Sequence, residues 1–240
     1  MNVTALIPAA GMGSRMRAQT KKQYLRVGHR PILFYTLSRF ESCAFVRDIL
    51  LAVPEEDLTF VASEIVDRFG FRKVQKIVSG GKERQDSVRA AFEALDGEPD
   101  LVMIHDGVRP FVTPAILKKA AEVAFKKGAS VVGIPASATI KRVHKGRVEA
   151  TLIRSELWEI QTPQTFRTDW FRQALEKAAA SGFRATDDAT LLEQAGFPVY
   201  VVEGSSFNLK ITRPEDLTLA ACLLQNQNGG QASVAEGIEL

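Results

Sequence analysis

The sequence predicts an α/β fold: a mostly parallel sheet with helices on both faces, plus a protruding β-hairpin arm. Three observations carry that reading. Apolar runs of strand length alternate with amphipathic stretches of helical period over the first 135 residues. Small-residue loops, not long linkers, follow two of those runs, at residues 8–13 and 79–81. Residues 138–154 then alternate apolar and polar side chains about Lys145-Gly146, the pattern of a hairpin.

The first run, Val3, Ala5, Leu6 and Ile7, is a buried strand that stops at Pro8. Beyond it Ala9, Ala10, Gly11 and Gly13 carry almost no side chain, so backbone N–H groups can approach an anionic ligand closely. Arg15 adds a planar charge that matches phosphate oxygens, and Lys21 and Lys22 follow within one loop's reach. Cations gathered beside a flexible loop repel one another unless an anion lies between them. Two known phosphate loops are excluded. Gly11-x-Gly13-x-x-Met16 lacks the third glycine of the dinucleotide fingerprint, and no G-x-x-x-x-G-K-[ST] occurs.

Pro31 opens a helix whose apolar residues Ile32, Leu33, Tyr35, Leu37 and Phe40 suit one sheet face. Residues 48–53 form a buried strand. Pro54, Glu55, Glu56 and Asp57 then make an acidic helix start that the macrodipole favours, with the helix ending near Gly70. Residues 73–78 give another strand, ending in the glycine turn Ser79-Gly80-Gly81, which opens a helix through Ala91, Phe92 and Leu95. The next strand, 101–104, runs into His105-Asp106-Gly107-Val108-Arg109-Pro110, and open α/β sheets bind ligands at such strand ends. Thr113-Pro114 caps a helix to Lys127, and 129–135 is a further strand.

After the hairpin, Thr162-Pro163-Gln164-Thr165-Phe166 returns the chain to the core in a mainly structural role. Helices start at Asp169 and Asp187, with Thr186-Asp187-Asp188 as a cap cluster. Residues 199–202 and 208–211 read as strands, the second carrying Lys210. Thr212 to Glu215 forms a capping box for a last helix ending near Leu224, and residues 226–240 have too little to bury and are expected to be disordered. No repeat or linker divides the chain, so residues 1–225 are expected to form one domain with 136–157 as an arm.

Composition narrows the partners. The chain has 240 residues, 45% hydrophobic and 25% charged, enough for a sizeable core. A net charge of +3, without basic residues interleaved with aromatics, argues against nucleic acid and leaves acidic small molecules. Cys43 and Cys222 lie far apart among apolar neighbours, which argues against a disulfide framework and for a reducing cytoplasm. No run reaches membrane-spanning length and no secretory signal pattern opens the chain, so no membrane partner is expected.

Pro8-Ala9-Ala10-Gly11-Met12-Gly13-Ser14-Arg15-Met16, followed by Lys22-Gln23-Tyr24, resembles the N-terminal signature of the 2-C-methyl-D-erythritol 4-phosphate cytidylyltransferases, Rossmann-like sugar-phosphate nucleotidyltransferases. Further motifs of that family recur in the same order: GGxxRxxSV at 80–88, H-D-x-x-R-P at 105–110 and T-P-Q-x-F at 162–166. The resemblance spans residues 3 to about 222.

It implies that Pro8, Ala9, Ala10, Gly11, Gly13, Gly80, Gly81 and Ser87 hold CTP, with Arg84 supporting the loop. Asp106, Arg109, Thr139, Arg154, Thr186 and Lys210 would hold the acceptor, the arm residues reaching it across an interlocked homodimer. A two-stranded arm is marginal alone in water, which independently suggests docking on a second subunit. A carboxylate beside two phosphate loops is repulsive without a cation, so Asp106 reads as a ligand of Mg²⁺ or another divalent ion. Some relatives carry an acidic residue near Phe207, which leaves a second metal ligand unassigned.

The implied reaction moves CMP from CTP to 2-C-methyl-D-erythritol 4-phosphate, in isoprenoid precursor biosynthesis, and releases pyrophosphate. The acceptor phosphate is already ionised at neutral pH and needs no general base, which suits a chain with three histidines and no evident triad. Arg15, Lys22 and Lys210 would carry catalysis by charge placement. The nearest alternative is a ribitol 5-phosphate cytidylyltransferase, whose pattern begins with a Leu-Ala-Gly-Gly-like loop and lacks the Ser87-Val88 pair. A second alternative is a non-catalytic nucleotide-binding protein on the same fold.

Overall fold

The computed structural model describes residues 1–11, 16 and 20–228, and in it the alternation of side chains along three strands decides which helices cover which face. The chain begins with β1 (Val3–Pro8), a small ladder of β2 (Arg26–Val27) and β3 (Arg30–Pro31), α1 (Ile32–Glu41) and β4 (Val46–Val53). A 3₁₀ turn (Glu55–Asp57), α2 (Leu58–Val61) and a π-helical stretch (Ala62–Asp67) lead to β5 (Val74–Ser79), α3 (Arg84–Glu93) and β6 (Leu101–Ile104). Next come α4 (Pro114–Lys127), β7 (Ala129–Pro135), the hairpin β8 (Lys141–His144) and β9 (Arg147–Thr151), and the long β10 (Trp158–Arg167). The chain closes with α5 (Thr168–Ser181), α6 (Asp188–Ala195), β11 (Tyr200–Glu203) and α7 (Pro214–Asn228).

The seven-stranded sheet has the order β11-β7-β10-β6-β1-β4-β5. Its pairs are parallel except that β10 runs antiparallel between β6 and β7. Val3, Ala5 and Ile7 of β1, with Ile49, Leu51, Leu101 and Met103, pack under α1 and α4 through Leu33, Leu37, Phe40, Leu117 and Ala121. The intervening residues Leu6, Leu50, Ala52, Val102 and Ile104 face Val88, Ala91 and Phe92 of α3 and Phe171 and Ala174 of α5. A period of two therefore gives each strand two buried faces, which is why these runs read as nearly continuous apolar sequence.

In register, Leu6 lies between Leu50 and Ile104 and Pro8 lies opposite Ala52, so β1, β4 and β6 end within a few residues of one another. From β1 the chain moves outward to β4 and β5, then crosses back to β6 on the other side. The loops after β1 and β6 thus diverge at a topological switch point, where open α/β sheets form ligand crevices.

Several expectations need correction. Residues 208–211 are not a strand. Ile211 N–H donates to the Val108 carbonyl at 2.9 Å, but the Asn208 side chain takes the inward contacts, donating to Gln161 Oε1 at 3.0 Å and the Thr162 carbonyl at 2.8 Å, so no ladder forms. The expected helix after Pro54 is broken into 3₁₀, α and π segments. The last helix is started by Asp216, not Glu215: its Oδ2 accepts from Thr212 N–H at 2.7 Å and Arg213 N–H at 2.8 Å. That helix runs to Asn228, so residues 226–228 are helical, and the rest of the expected disordered tail lies outside the described residues. The hairpin turn at Lys145 and Gly146 has φ of 48° and 80°, the left-handed pair that a two-residue loop requires. Val143 and Val148 pair across the arm with 54% and 55% of their surface exposed, so the arm buries little of its apolar surface against its own chain.

Candidate active site

A cleft of about 250 Å³ opens at the switch point. One wall is the loop after β1. Ala9 N–H donates to the Ala52 carbonyl at 2.7 Å, and the Ala9 carbonyl accepts from the buried Gln23 Nε2 at 2.7 Å, so this small-residue loop is held from both sides. Pro8, Ala9, Ala10 and Gly11 line the cleft, and among the described residues nothing lies within 4 Å of where a Cβ on Gly11 would stand.

The opposite wall is the turn into α3. Gly80 N–H donates to the Val53 carbonyl at 2.7 Å, and Gly81 N–H donates to Ser87 Oγ at 3.2 Å. Glu83 and Asp86 form a capping box, leaving Gly81, Lys82, Glu83, Arg84 and Ser87 along the cleft. Gly80 sits behind this surface: a Cβ there would stand 2.4 Å from the Ala10 Cβ. It therefore spaces the two walls. Gly80→Ala should push the walls apart, costing about 1–3 kcal/mol of stability. Thermal unfolding measures the effect.

The floor is an ion network centred on Asp106. Its Oδ1 lies 3.0 Å from Arg84 Nε, and its Oδ2 lies 2.9 Å from Lys210 Nζ and 3.5 Å from Arg109 Nε. Burial alone would push this carboxyl pKa up, but Arg84, Lys210 and Arg109 outweigh it and hold the group well below the usual carboxylate range. Arg84 reaches further, to the buried Asp188 at 2.7 Å. Asp188 is pushed up by burial, against the pull of Arg84.

Asp106 is also fixed from its backbone, as its N–H donates to Thr162 Oγ1 at 3.1 Å. That hydroxyl donates in turn to His105 Nδ1 at 3.1 Å, and His105 Nε2 donates to the Arg109 carbonyl at 3.0 Å. Burial drives the His105 pKa down to about 4, so the ring is neutral and structural. The β10–β7 register breaks between Ile160 and Gln164, at the irregularity that contains Thr162.

The cleft lining thus carries Lys22, Lys82, Arg84 and Lys210 against Glu83 and Asp106, an excess of positive charge suited to a polyanion. The structure brings together Pro8, Ala9, Ala10, Gly11, Lys22, Gly81, Ser87, Asp106 and Lys210. It separates the two adjacent lysines: Lys21 pairs with Glu56 and Asp57, whereas Lys22 lines the cleft. Arg109 supports the floor, donating to the Asn208 carbonyl at 2.8 Å.

Thr186 lines a neighbouring depression that shares Lys82, Glu83 and Arg84 with the cleft. Thr139 and Arg154 are exposed and do not line the cleft of their own chain; Arg154 Nη1 donates to the Ser137 carbonyl at 3.2 Å. Gly13 and Arg15 lie outside the described residues.

Sequence reasoning missed Gln23, Lys82, Asp188, Thr162 and Asn208. Lys82 stood inside a quoted motif. Thr162 and Asn208 act across separations of 56 and 46 residues, which only the assembled sheet reveals.

Among the described residues, no group of three or more His, Cys, Asp or Glu side chains gathers around a point. The acidic side chains facing the cleft are Asp106 and Glu83, and both Asp106 oxygens already face cations. This donor set does not make a resident metal centre. It does fit a magnesium ion that takes most of its oxygens from phosphate and water.

A family model for 2-C-methyl-D-erythritol 4-phosphate cytidylyltransferase matches residues 3–226. Curated proteins of that name from Geotalea uraniireducens and Geobacter metallireducens are 50% and 46% identical over 230 residues each, covering 95% of this chain and 99% of theirs. Among solved structures, 4-diphosphocytidyl-2C-methyl-D-erythritol synthase from Anaerococcus prevotii superposes with a TM-score of 0.82 at 31% identity, covering 94% of this chain and 96% of that one. The 2-C-methyl-D-erythritol 4-phosphate cytidylyltransferase from Thermus thermophilus does so with a TM-score of 0.77 at 33% identity, covering 94% and 100%.

Proposed function

The chain belongs to the 2-C-methyl-D-erythritol 4-phosphate cytidylyltransferase family and so transfers CMP from CTP to that acceptor in isoprenoid precursor biosynthesis, and we propose that the cleft at the switch point carries the reaction. One observation supports this location above the others. Four cationic side chains line one cleft whose walls include two small-residue loops, a surface for a triphosphate and an attacking phosphate together.

In this reading Ala9, Ala10 and Gly11 admit the triphosphate, while Gly81 and Ser87 approach the base and ribose. Lys22 lies toward the nucleotide phosphates. Lys210 binds the acceptor phosphate, oriented by Asp106, which Arg84 and Arg109 hold in turn. An acceptor oxygen attacks the α-phosphorus, the new P–O bond forms as the bond to the β-phosphate breaks, and pyrophosphate leaves with its charge. No proton needs to move, so the site requires cations in place and not a base. Magnesium carried on the triphosphate would neutralise phosphate charge, with Asp106 offering at most one oxygen after releasing a cation.

Pyrophosphate release tests the substrate assignment. Turnover is expected with CTP and 2-C-methyl-D-erythritol 4-phosphate, and poor turnover with ribitol 5-phosphate or UTP. Faster release with ribitol 5-phosphate would transfer the assignment to that acceptor, and CTP binding without turnover would favour a non-catalytic protein.

The arm adds a second part to the proposal: that the enzyme is a homodimer. Val143, Val148, Ile153, Trp158 and Ile160 leave apolar surface exposed on and beside the hairpin, and an arm docked on a second copy would cover it. Arg154 and Thr139 would then complete the partner's acceptor site. Mixing Arg154→Ala with Lys22→Ala should leave half the dimers as hybrids with one intact site of two, restoring about a quarter of parental activity. Subunits shown to exchange yet remaining inactive would place Arg154 in its own chain's chemistry. Among the described residues no helix is long and apolar enough to cross a membrane, and a cytoplasmic location is proposed from the two unbridged cysteines.

A further inference from the structure

The turn that carries Lys22 is tied down on both sides by one carboxylate. Lys21 Nζ lies 2.7 Å from Asp57 Oδ2, and Tyr24 Oη donates to the same oxygen at 3.0 Å. Glu56 also meets Lys21, at 2.5 Å, but its side chain is 65% exposed, whereas that of Asp57 is 16% exposed. Between the two tethered residues, Gln23 is fixed to the Ala9 carbonyl, and Lys22–Tyr24 closes as a single 3₁₀ turn with Tyr24 N–H donating to the Lys21 carbonyl at 3.0 Å. The Tyr24 ring meets Phe60 edge-on at a centroid distance of 5.2 Å, extending the contact into α2. Of the four residues from 21 to 24, Lys22 and Gln23 line the cleft, and Gln23 is committed to the loop wall.

We infer that Asp57, which follows β4 and lies outside the cleft lining, is a positioning residue for Lys22, acting through Lys21 and Tyr24. The inference rests on the reading of Lys22 as a partner of the nucleotide phosphates. Burial opposes the charge on Lys21, yet Asp57 and Glu56 hold its pKa above the usual lysine value, while burial and Asp57 raise that of Tyr24. Both groups therefore stay protonated donors at neutral pH. A long, flexible lysine that must meet developing charge gains from a turn that cannot drift, since misplacement by about 1 Å costs up to about a hundredfold in rate.

The test is a double-mutant cycle on kcat, with Asp57→Asn, Lys22→Ala and the pair. Asp57→Asn is expected to lower kcat about tenfold with little change in the KM for CTP. In the Lys22→Ala background the same change should have no further effect, because nothing remains to be positioned. A parental kcat in Asp57→Asn, or an equal loss in both backgrounds, overturns the inference, the second by showing a general structural role. Parental activity in Lys22→Ala overturns the reading of Lys22 itself, and this inference with it. Should Asp57→Asn fail to fold, Lys21→Met removes one tether, and the same cycle applies with the same two outcomes.

Discussion

Lys22→Ala is expected to lower kcat about 100- to 1,000-fold, close to 3–4 kcal/mol, while changing the KM for CTP far less. The expectation follows from where the charge is needed. In the proposed ground state the triphosphate would meet several cations of the cleft lining, so losing one should weaken binding modestly. As the bond to the leaving pyrophosphate breaks, negative charge builds on the bridging oxygen, and a preorganised ammonium nearby is worth most at that moment. Steady-state kinetics with both substrates varied separate the two effects. A variant with parental kcat would remove Lys22 from the mechanism, and one that changed only KM would reduce it to a binding contact.

Asp106→Asn should be the most damaging change to the fold near the site. The carboxylate sits among Arg84, Arg109 and Lys210, and an amide of the same shape leaves three cations facing one another with less compensation. Breaking a buried pair in this way costs about 3–5 kcal/mol, or roughly 10 °C in melting temperature for a chain of this length. The pH dependence has a definite sign. The folded-state pKa of Asp106 lies below its unfolded value of about 3.9. Its contribution to stability is therefore complete above about pH 4 and is lost as pH falls toward the folded-state value. The gap in melting temperature between parent and variant should be widest near neutrality and narrow in acid. A constant gap from pH 7 to pH 3 would show that Asp106 does not stabilise the fold through its charge. Activity should fall as well, because Lys210 loses the oxygen that orients it.

Much of this was readable from local pattern. Apolar runs ending in Pro8, Val53 and Ile104 mark β1, β4 and β6, because strands buried on both faces leave a continuous apolar signal. Thr113-Pro114 marks the start of α4 through its own chemistry, with Thr113 Oγ1 accepting from Ile116 N–H at 3.3 Å. The residues that proved illegible act over distance. Asn208 sits in an apolar run that reads as a strand, yet its side chain bonds to residues 46 and 47 positions earlier and keeps the segment a loop. Asp188 reads as part of a helix cap, a role that Asp187 takes by accepting from Thr190 N–H, while Asp188 turns inward to Arg84. Lys21 and Lys22 are equivalent as letters, and only the position of Asp57 in space separates a tether from a cleft residue.

A structure of the protein with CTP bound would show whether the cleft at the switch point holds the nucleotide. The triphosphate is expected between the Pro8–Gly11 loop and the turn into α3, with the base against Gly81 and Ser87 and a phosphate oxygen within about 4 Å of Lys22 Nζ. Lys210 should remain on Asp106, facing the space left for the acceptor. A nucleotide bound outside this cleft, or one whose triphosphate points away from Lys22, would contradict this placement.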